Sequence, residues 1–224
     1  MVTGGAPRGV SFFISGTDTA VGKTYVTRLL IEGLRAAGVD AVGCKPVACG
    51  DRDDAQILSA ASGGLAIDAV NPVYFKSALA PYVAGLLENR TVKPAELLDA
   101  CRNLAAAHEM VLVEGAGGWE VPIAPGYRIS DLATDLGLPV IVVAANRLGA
   151  LNHILLTVQA IRARGLACAG VFLNQLDDEL DTAMITNKGV IEDLSGVPLL
   201  DHLIHGQDFI SSEALERLGA PHSA

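Results

Sequence analysis

Two hydrophobic rhythms alternate along this chain. Short unbroken apolar runs are followed by longer stretches in which apolar positions recur every three or four residues. The first run, Val10-Ser-Phe-Phe-Ile-Ser15, stops at a glycine and predicts a buried strand. Val26, Leu29, Leu30, Gly33 and Leu34 then form the one-sided stripe of a helix, with Gly38 as its stop. Residues 41–47 predict a second strand, 54–61 a short helix, and 78–107 a mostly helical region broken at 91–94. A third strand is predicted at 110–113, closed by the glycine-rich stretch 114–118. Residues 139–145 and 168–173 predict strands four and five. Between these two, Leu151, Ile154, Leu155, Val158 and Ile161 stripe a helix. A helix near 181–194 and a poorly patterned tail follow. Strands this apolar, alternating with helices, predict an α/β fold with a mostly parallel central sheet flanked by helices on both faces. No linker, repeat or shift in composition divides residues 1–224, so one domain is expected, with 1–9 a flexible N-terminal tail.

Composition narrows the class. The chain has 224 residues, 50% of them hydrophobic and 18% charged, which excludes a disordered chain. A net charge of −9 argues against general nucleic-acid binding, although positive groups concentrated at one site can still hold phosphates. The four cysteines form no C-x-x-C pair and no disulfide framework, which suits a reducing compartment. The N-terminus lacks a signal-peptide pattern, and no apolar stretch is long enough to span a membrane. A cytoplasmic protein is the expectation.

The loop between the first strand and the first helix reads Gly16-Thr-Asp-Thr-Ala-Val-Gly-Lys-Thr24. The phosphate-loop spacing G-x-x-x-x-G-K-[ST] would place its first glycine at position 17, which is Thr17. Here five residues separate Gly16 from Gly22. The setting is nonetheless that of a phosphate loop, with a strand before it and a helix opening at Gly22-Lys23-Thr24. Backbone N–H groups at a helix start point outward and the helix dipole adds positive charge, so phosphate oxygens settle there. Lys23 can reach the β- and γ-phosphates, and the Thr24 hydroxyl can ligate Mg²⁺. The ordinary alternative is a glycine turn capped by threonine, which the strand–helix setting disfavours.

This longer spelling resembles the loop of dethiobiotin synthetases, where it is normal. Three more segments follow in that family's order. Lys45-Pro-Val-Ala-Cys-Gly50 resembles its K-P-V-x-[ST]-G segment, and Val113-Glu-Gly-Ala-Gly-Gly-Trp119 matches its V-E-G-A-G-G segment. Leu148-Gly-Ala-Leu-Asn-His153 resembles its L-G-x-[IL]-N-H segment. The resemblance covers roughly residues 10–175.

The resemblance implies a phosphate-loop NTPase fold and the ATP-dependent joining of CO₂ to 7,8-diaminononanoate, giving dethiobiotin, ADP and phosphate. It implies Lys45 and Lys23 as catalytic residues, and Thr24, Asp54 and Glu114 as the Mg²⁺ ligands. Nucleotide contacts would come from Ala20, Val21, Gly22, Lys23, Thr24 and Tyr25, from Glu114, Gly115, Ala116 and Gly117, and from Asn174 beside the adenine. Substrate contacts would come from Thr19, Lys45, Cys49, Gly118, Gly149 and Asn152. The helix opening at Gly149 would hold the substrate's carboxylate in the neighbouring subunit, so a homodimer is implied.

Residue chemistry weighs on each of these roles. Glu114 ends an apolar strand at its C-terminal edge, where open α/β sheets bind ligands; a solvated strand-end carboxylate is the alternative. Asp53 rivals Asp54 as the second ligand. Lys45 lies in an apolar run, where burial is unfavourable without an anion, unless the lysine snorkels out. Ala20 stands where many relatives carry glutamate, Cys49 where they carry serine or threonine, and residues 200–204 depart from the family's L-G-x-[IV]-P. His202 and His205 could share a helix face but have no third ligand, so surface histidines are expected. The competing function is a phosphate-loop switch ATPase of the partitioning or metal-delivery type. Such proteins generally carry an extra lysine early in the loop, where this chain has Thr17, Asp18 and Thr19. An amidotransferase-linked ligase needs a glutaminase domain that 224 residues do not accommodate.

Overall fold

A computed structural model describes residues 11–179 and 181–221; the tail expected at 1–9, and Val10 of the first predicted strand, lie outside the described residues. The chain begins with β1 (Phe12–Gly16), α1 (Lys23–Ala36), β2 (Ala41–Cys44), β3 (Val47–Cys49), α2 (Asp53–Ala61), α3 (Ile67–Val70), β4 (Val73–Phe75), α4 (Pro81–Leu87) and α5 (Pro94–Ala107). It continues through β5 (Met110–Gly118), β6 (Pro122–Ala124), β7 (Tyr127–Arg128), α6 (Ile129–Leu136), β8 (Val140–Ala145) and α7 (Ala150–Ala163). β9 (Cys168–Asn174), α8 (Thr182–Asn187), α9 (Ile191–Ser195), β10 (Leu199–Leu203) and α10 (Ser212–Arg217) follow.

Six parallel strands form the central sheet in the order β10-β9-β8-β1-β5-β2. Side chains alternate across it, so neighbouring residues feed two separate cores. Phe13, Val42, Val111 and Val142 face α5, α6 and α7, whereas Ile14, Ala41, Leu112 and Ile141 face α1, α2 and α10. This double covering is why the strands read as unbroken apolar runs rather than alternating ones. From β1 the chain winds outward to β2, then returns through β5 and builds the opposite half. The loop after β1 therefore opens at the point where the winding reverses, the place ligands occupy in open α/β sheets.

The sequence reading did not include α3, β4, β6, β7 or α6, and it differs from the structure in four further features. The strand expected at 41–47 splits, because Pro46 has no N–H to donate to a ladder. β2 ends at Cys44, the Lys45 N–H turns to the Val70 carbonyl at 2.8 Å, and β3 pairs with β4 in a separate two-stranded sheet. The glycine-rich stretch 114–118 is no closing loop but the second half of β5, with Gly118 in register beside Gly16. The helix expected near 181–194 is two helices, α8 and α9, separated by a turn at 188–190. The tail read as unpatterned contains the edge strand β10 and the helix α10. His202 accordingly lies on a strand rather than sharing a helix with His205. It is half-buried, its Nε2 is 3.1 Å from Asn146 Nδ2, and burial holds its pKa below the usual histidine value. Among the described residues no helix is long and apolar enough to cross a membrane.

β2 packs closely on α1 and α2 because Gly43 carries no side chain. A Cβ there would lie 2.9 Å from Ile31 Cδ1 and 3.1 Å from Leu58 Cβ. Gly43→Ala is expected to destabilise the fold by about 1–3 kcal/mol, read as a lower urea midpoint with unchanged slope. A midpoint equal to that of the parent would show that the two helices are not seated on this strand.

Candidate active site

The loop after β1 folds back over its own starting point. A Cβ at Gly16 would lie 2.7 Å from the Asp18 carbonyl oxygen and 2.9 Å from Lys23 Nζ, so this position admits no side chain. That crowding explains why position 16 is glycine. At the other end, Gly22 has φ of 90°, and its missing Cβ would be 2.0 Å from Asn174 Nδ2. Asn174, at the end of β9, donates from this same Nδ2 to the Val21 carbonyl at 3.1 Å and fastens the loop to the sheet. Ala20 is also left-handed, with φ of 57°. Lys23 opens α1 and donates to the Asp18 carbonyl at 3.0 Å. Burial, aided by the charge of Lys45, pushes its pKa down to about 8.

Beside the loop stands a buried ionic cluster. Lys45, just past β2, donates to Glu114 Oε1 at 2.6 Å and to Asp54 Oδ2 at 2.7 Å. Glu114 comes from the middle of β5 and is 0% exposed; its Oε1 also accepts from Thr24 Oγ1 at 2.7 Å. Burial alone would lower the Lys45 pKa, but Glu114 and then Asp54 hold it above the usual lysine range. Burial would likewise raise the Asp54 carboxyl, yet Lys45 holds it below the usual range. The strand-end reading of Glu114 and the snorkelling reading of Lys45 are both set aside by this burial. Asp54, not Asp53, is the aspartate on Lys45.

Thr24, Asp54 and Glu114 thus present oxygen donors alone, the set preferred by a hard divalent cation. Glu114 Oε2 is buried without a partner and is free to accept one more contact. No group of three or more His, Cys, Asp or Glu side chains suited to a metal occurs among the described residues. A cation held here would therefore share its coordination with phosphate oxygens and water, as Mg²⁺ does.

A cleft of about 600 Å³ opens over this cluster. One wall is the loop and helix start, with Thr19, Ala20, Gly22, Lys23, Thr24 and Tyr25; the floor holds Lys45, Asp54 and Glu114, with Cys49, Ala116 and Gly117 beside them. The far wall is apolar, formed by Ala48, Val121 and the 78–81 turn. That wall was not anticipated from sequence; the Ser77-Ala-Leu-Ala-Pro81 stretch was its only signal. Burial, followed by the charge of Glu88, pushes the Cys49 thiol up to about 11, which favours the thiol over the nucleophilic thiolate near neutral pH.

Other expected residues lie elsewhere. The Val21 side chain is buried in the core, Gly115 is buried within β5, and Asn174 backs the loop without lining the cleft. Gly118 lines an adjoining depression together with Thr19. Gly149, the N-cap of α7, and Asn152 in its first turn do not line the cleft of their own chain.

A phosphate loop at the reversal point of a parallel sheet, with two lysines and two carboxylates around it, defines a phosphate-loop nucleotide-binding protein. Residues 10–207 match the family described as an AAA domain. Within that class the chain belongs to the ATP-dependent dethiobiotin synthetases, a family of ATP-dependent ligases. It is 52% identical to the ATP-dependent dethiobiotin synthetase BioD of Akkermansia muciniphila over 93% of this chain and 99% of that protein. It is 45% identical to that of Anaeromyxobacter sp. strain Fw109-5, over 92% of this chain and 94% of the relative. At the level of fold alone it is similar to a ParA family ATPase from Chlorobium tepidum TLS, with a TM-score of 0.56, 12% identity, and 95% and 91% of the two chains covered. The signal recognition particle receptor FtsY from Elizabethkingia anophelis, solved with GDP, gives 0.60 at 12% identity, covering 98% of this chain and 66% of that one.

Because Gly22 leaves no room for a side chain beside Asn174, Gly22→Ala should weaken ATP binding at least about tenfold, roughly 1.4 kcal/mol, while the far-ultraviolet circular dichroism stays native. Equilibrium titration with a fluorescent ATP analogue measures this. Unchanged affinity would show that the loop does not hold the triphosphate in this form.

Proposed function

We propose that the cleft carries out dethiobiotin formation from 7,8-diaminononanoate, CO₂ and ATP through a phosphorylated carbamate. One amine of the diamine attacks CO₂ and loses a proton to give a carbamate. A carbamate oxygen attacks the γ-phosphorus and ADP leaves. The second amine then attacks the carbamoyl carbon, phosphate departs, and the attacking nitrogen loses a proton as the cyclic urea closes. The observation that carries this reading is the Lys45 ammonium, buried and fixed between Glu114 and Asp54 on the floor of the cleft that Lys23 also lines.

Each wall has a matching task. The loop N–H groups and Lys23 hold the triphosphate. Lys45, kept protonated by Glu114, meets the carbamate and the phosphoryl group, whose negative charges repel one another as they approach. Thr24, Asp54 and Glu114 would hold Mg²⁺, which when bound offsets negative charge on the phosphates. The apolar far wall suits the alkyl chain of the diamine, and holding that chain still turns ring closure into an intramolecular step. The carboxylate of that chain fits a helix start. In this reading the helix is α7 of a second copy, with Gly149 and Asn152. Leu148 and Leu156 beside them are 82% and 58% exposed, which supports a homodimer joined near the site.

Lys45→Gln, which keeps a hydrogen-bond donor near Glu114, is expected to lower turnover at least about 100-fold with the fold retained by circular dichroism. The readout is dethiobiotin by mass spectrometry, with diaminononanoate, bicarbonate, Mg²⁺ and ATP supplied. The parent should release phosphate only when diamine and bicarbonate are both present. Phosphate release independent of either would favour a switch ATPase and overturn this reading.

A further inference from the structure

Lys45 follows the last residue of the sheet's outermost strand, so no neighbouring strand secures its backbone on the far side. A side chain does so instead. Asn71, 1% exposed, donates from Nδ2 to the Lys45 carbonyl at 2.7 Å and to the Val73 carbonyl at 2.9 Å. The backbone around it completes a clamp. The Lys45 N–H donates to the Val70 carbonyl at 2.8 Å, and the Val73 N–H donates to the Pro46 carbonyl at 3.3 Å. The 70–73 segment therefore grips the Lys45-Pro46 break from both ends.

Asn71 is itself held by Arg52, the N-cap of α2. Arg52 Nε donates to Asn71 Oδ1 at 3.1 Å and its Nη2 to the Asn71 carbonyl at 2.8 Å. These partners settle the carboxamide orientation, with its NH₂ toward two carbonyls and its oxygen toward a guanidinium. Arg52 also stacks on the Tyr74 ring at 5.4 Å, and Tyr74 Oη donates to the Gly50 carbonyl at 3.0 Å. Two residues beyond Arg52, in the first turn of the same helix, stands Asp54. One chain of contacts thus runs from the helix carrying Asp54, through Arg52 and Asn71, to the backbone carrying Lys45.

We propose that Asn71 is a positioning residue for the ligase reaction. Braced by Arg52, it fixes Lys45 and Asp54 relative to each other so that the ammonium meets the transferring phosphoryl group. The inference rests on the role given to Lys45 above. Asn71 touches neither the phosphate loop nor the cleft, so its loss acts on turnover and not on nucleotide binding.

The test compares Asn71→Ala and Arg52→Met with the parent and with Lys45→Gln, measuring kcat, KM for ATP and the Kd of a fluorescent ATP analogue. All values are scaled to the nucleotide-binding fraction of each preparation. Asn71→Ala should lower kcat at least about tenfold with KM and Kd within about twofold of the parent. Arg52→Met, which leaves the carboxamide in place, should give a smaller loss of the same kind. A merely structural role would reduce only the binding-competent fraction and leave the scaled kcat unchanged. Should Asn71→Ala fail to fold, Arg52→Met decides alone, and a parental scaled kcat in it overturns the inference. If Lys45→Gln is inactive while both clamp variants turn over normally, the positioning role falls and the reading of Lys45 stands. If Lys45→Gln is fully active, both fall.

Discussion

The buried pairing of Glu114 with Lys45 governs the arrangement of this site. A carboxylate with no solvent exposure in the middle of an apolar sheet is strongly unfavourable unless a charge and hydrogen bonds meet it. Lys45 supplies the charge, and the Thr24 hydroxyl supplies a second donor to the same oxygen. Removing one partner of such a pair typically destabilises a protein by about 3–5 kcal/mol. Three elements distant in the chain are therefore drawn to one point: the start of α1, the end of β2 and the middle of β5. The pairing also leaves Glu114 Oε2 unmet, so the cluster keeps an acceptor for a ligand.

The break at Pro46 gives that point its cleft. Had β2 run on as an ordinary edge strand, the Lys45 side chain would have alternated onto one face of the sheet. Instead the chain leaves the ladder, and β3 pairs with β4 in a small second sheet. The opening between the two sheets takes its apolar lining from Ala48 and the turn before α4 and its charged floor from Lys45. A charged end and an apolar end of the cleft arise from the same interruption.

Much of this was legible in the chain itself, for identifiable reasons. Strands buried on both faces have no polar face to write, so β1, β8 and β9 stand out as unbroken apolar runs. The loop could be read because its chemistry is local: Gly16, Gly22, Lys23 and Thr24 lie within nine residues and serve one turn. What was misread depends on partners far along the chain. The 114–118 glycines look like a loop until β1 lies alongside them. Leu199-Leu-Asp-His-Leu203 carries too mixed a pattern to mark a strand without β9 as its neighbour. Nothing in the sequence around Asn71 reveals that its side chain caps the Lys45 carbonyl.

The amino-acid sequence by itself determined the fold class, the phosphate loop and the residue types available for chemistry, because each follows from short-range pattern and spacing. Only the tertiary structure decided which carboxylate Lys45 meets, why position 16 must be glycine, and which expected residues stay away from the cleft. Those outcomes turn on distances between segments up to about 150 residues apart, such as Asn174 against Val21. Contact across such separations is set by sheet order and packing, which no local stretch of sequence encodes.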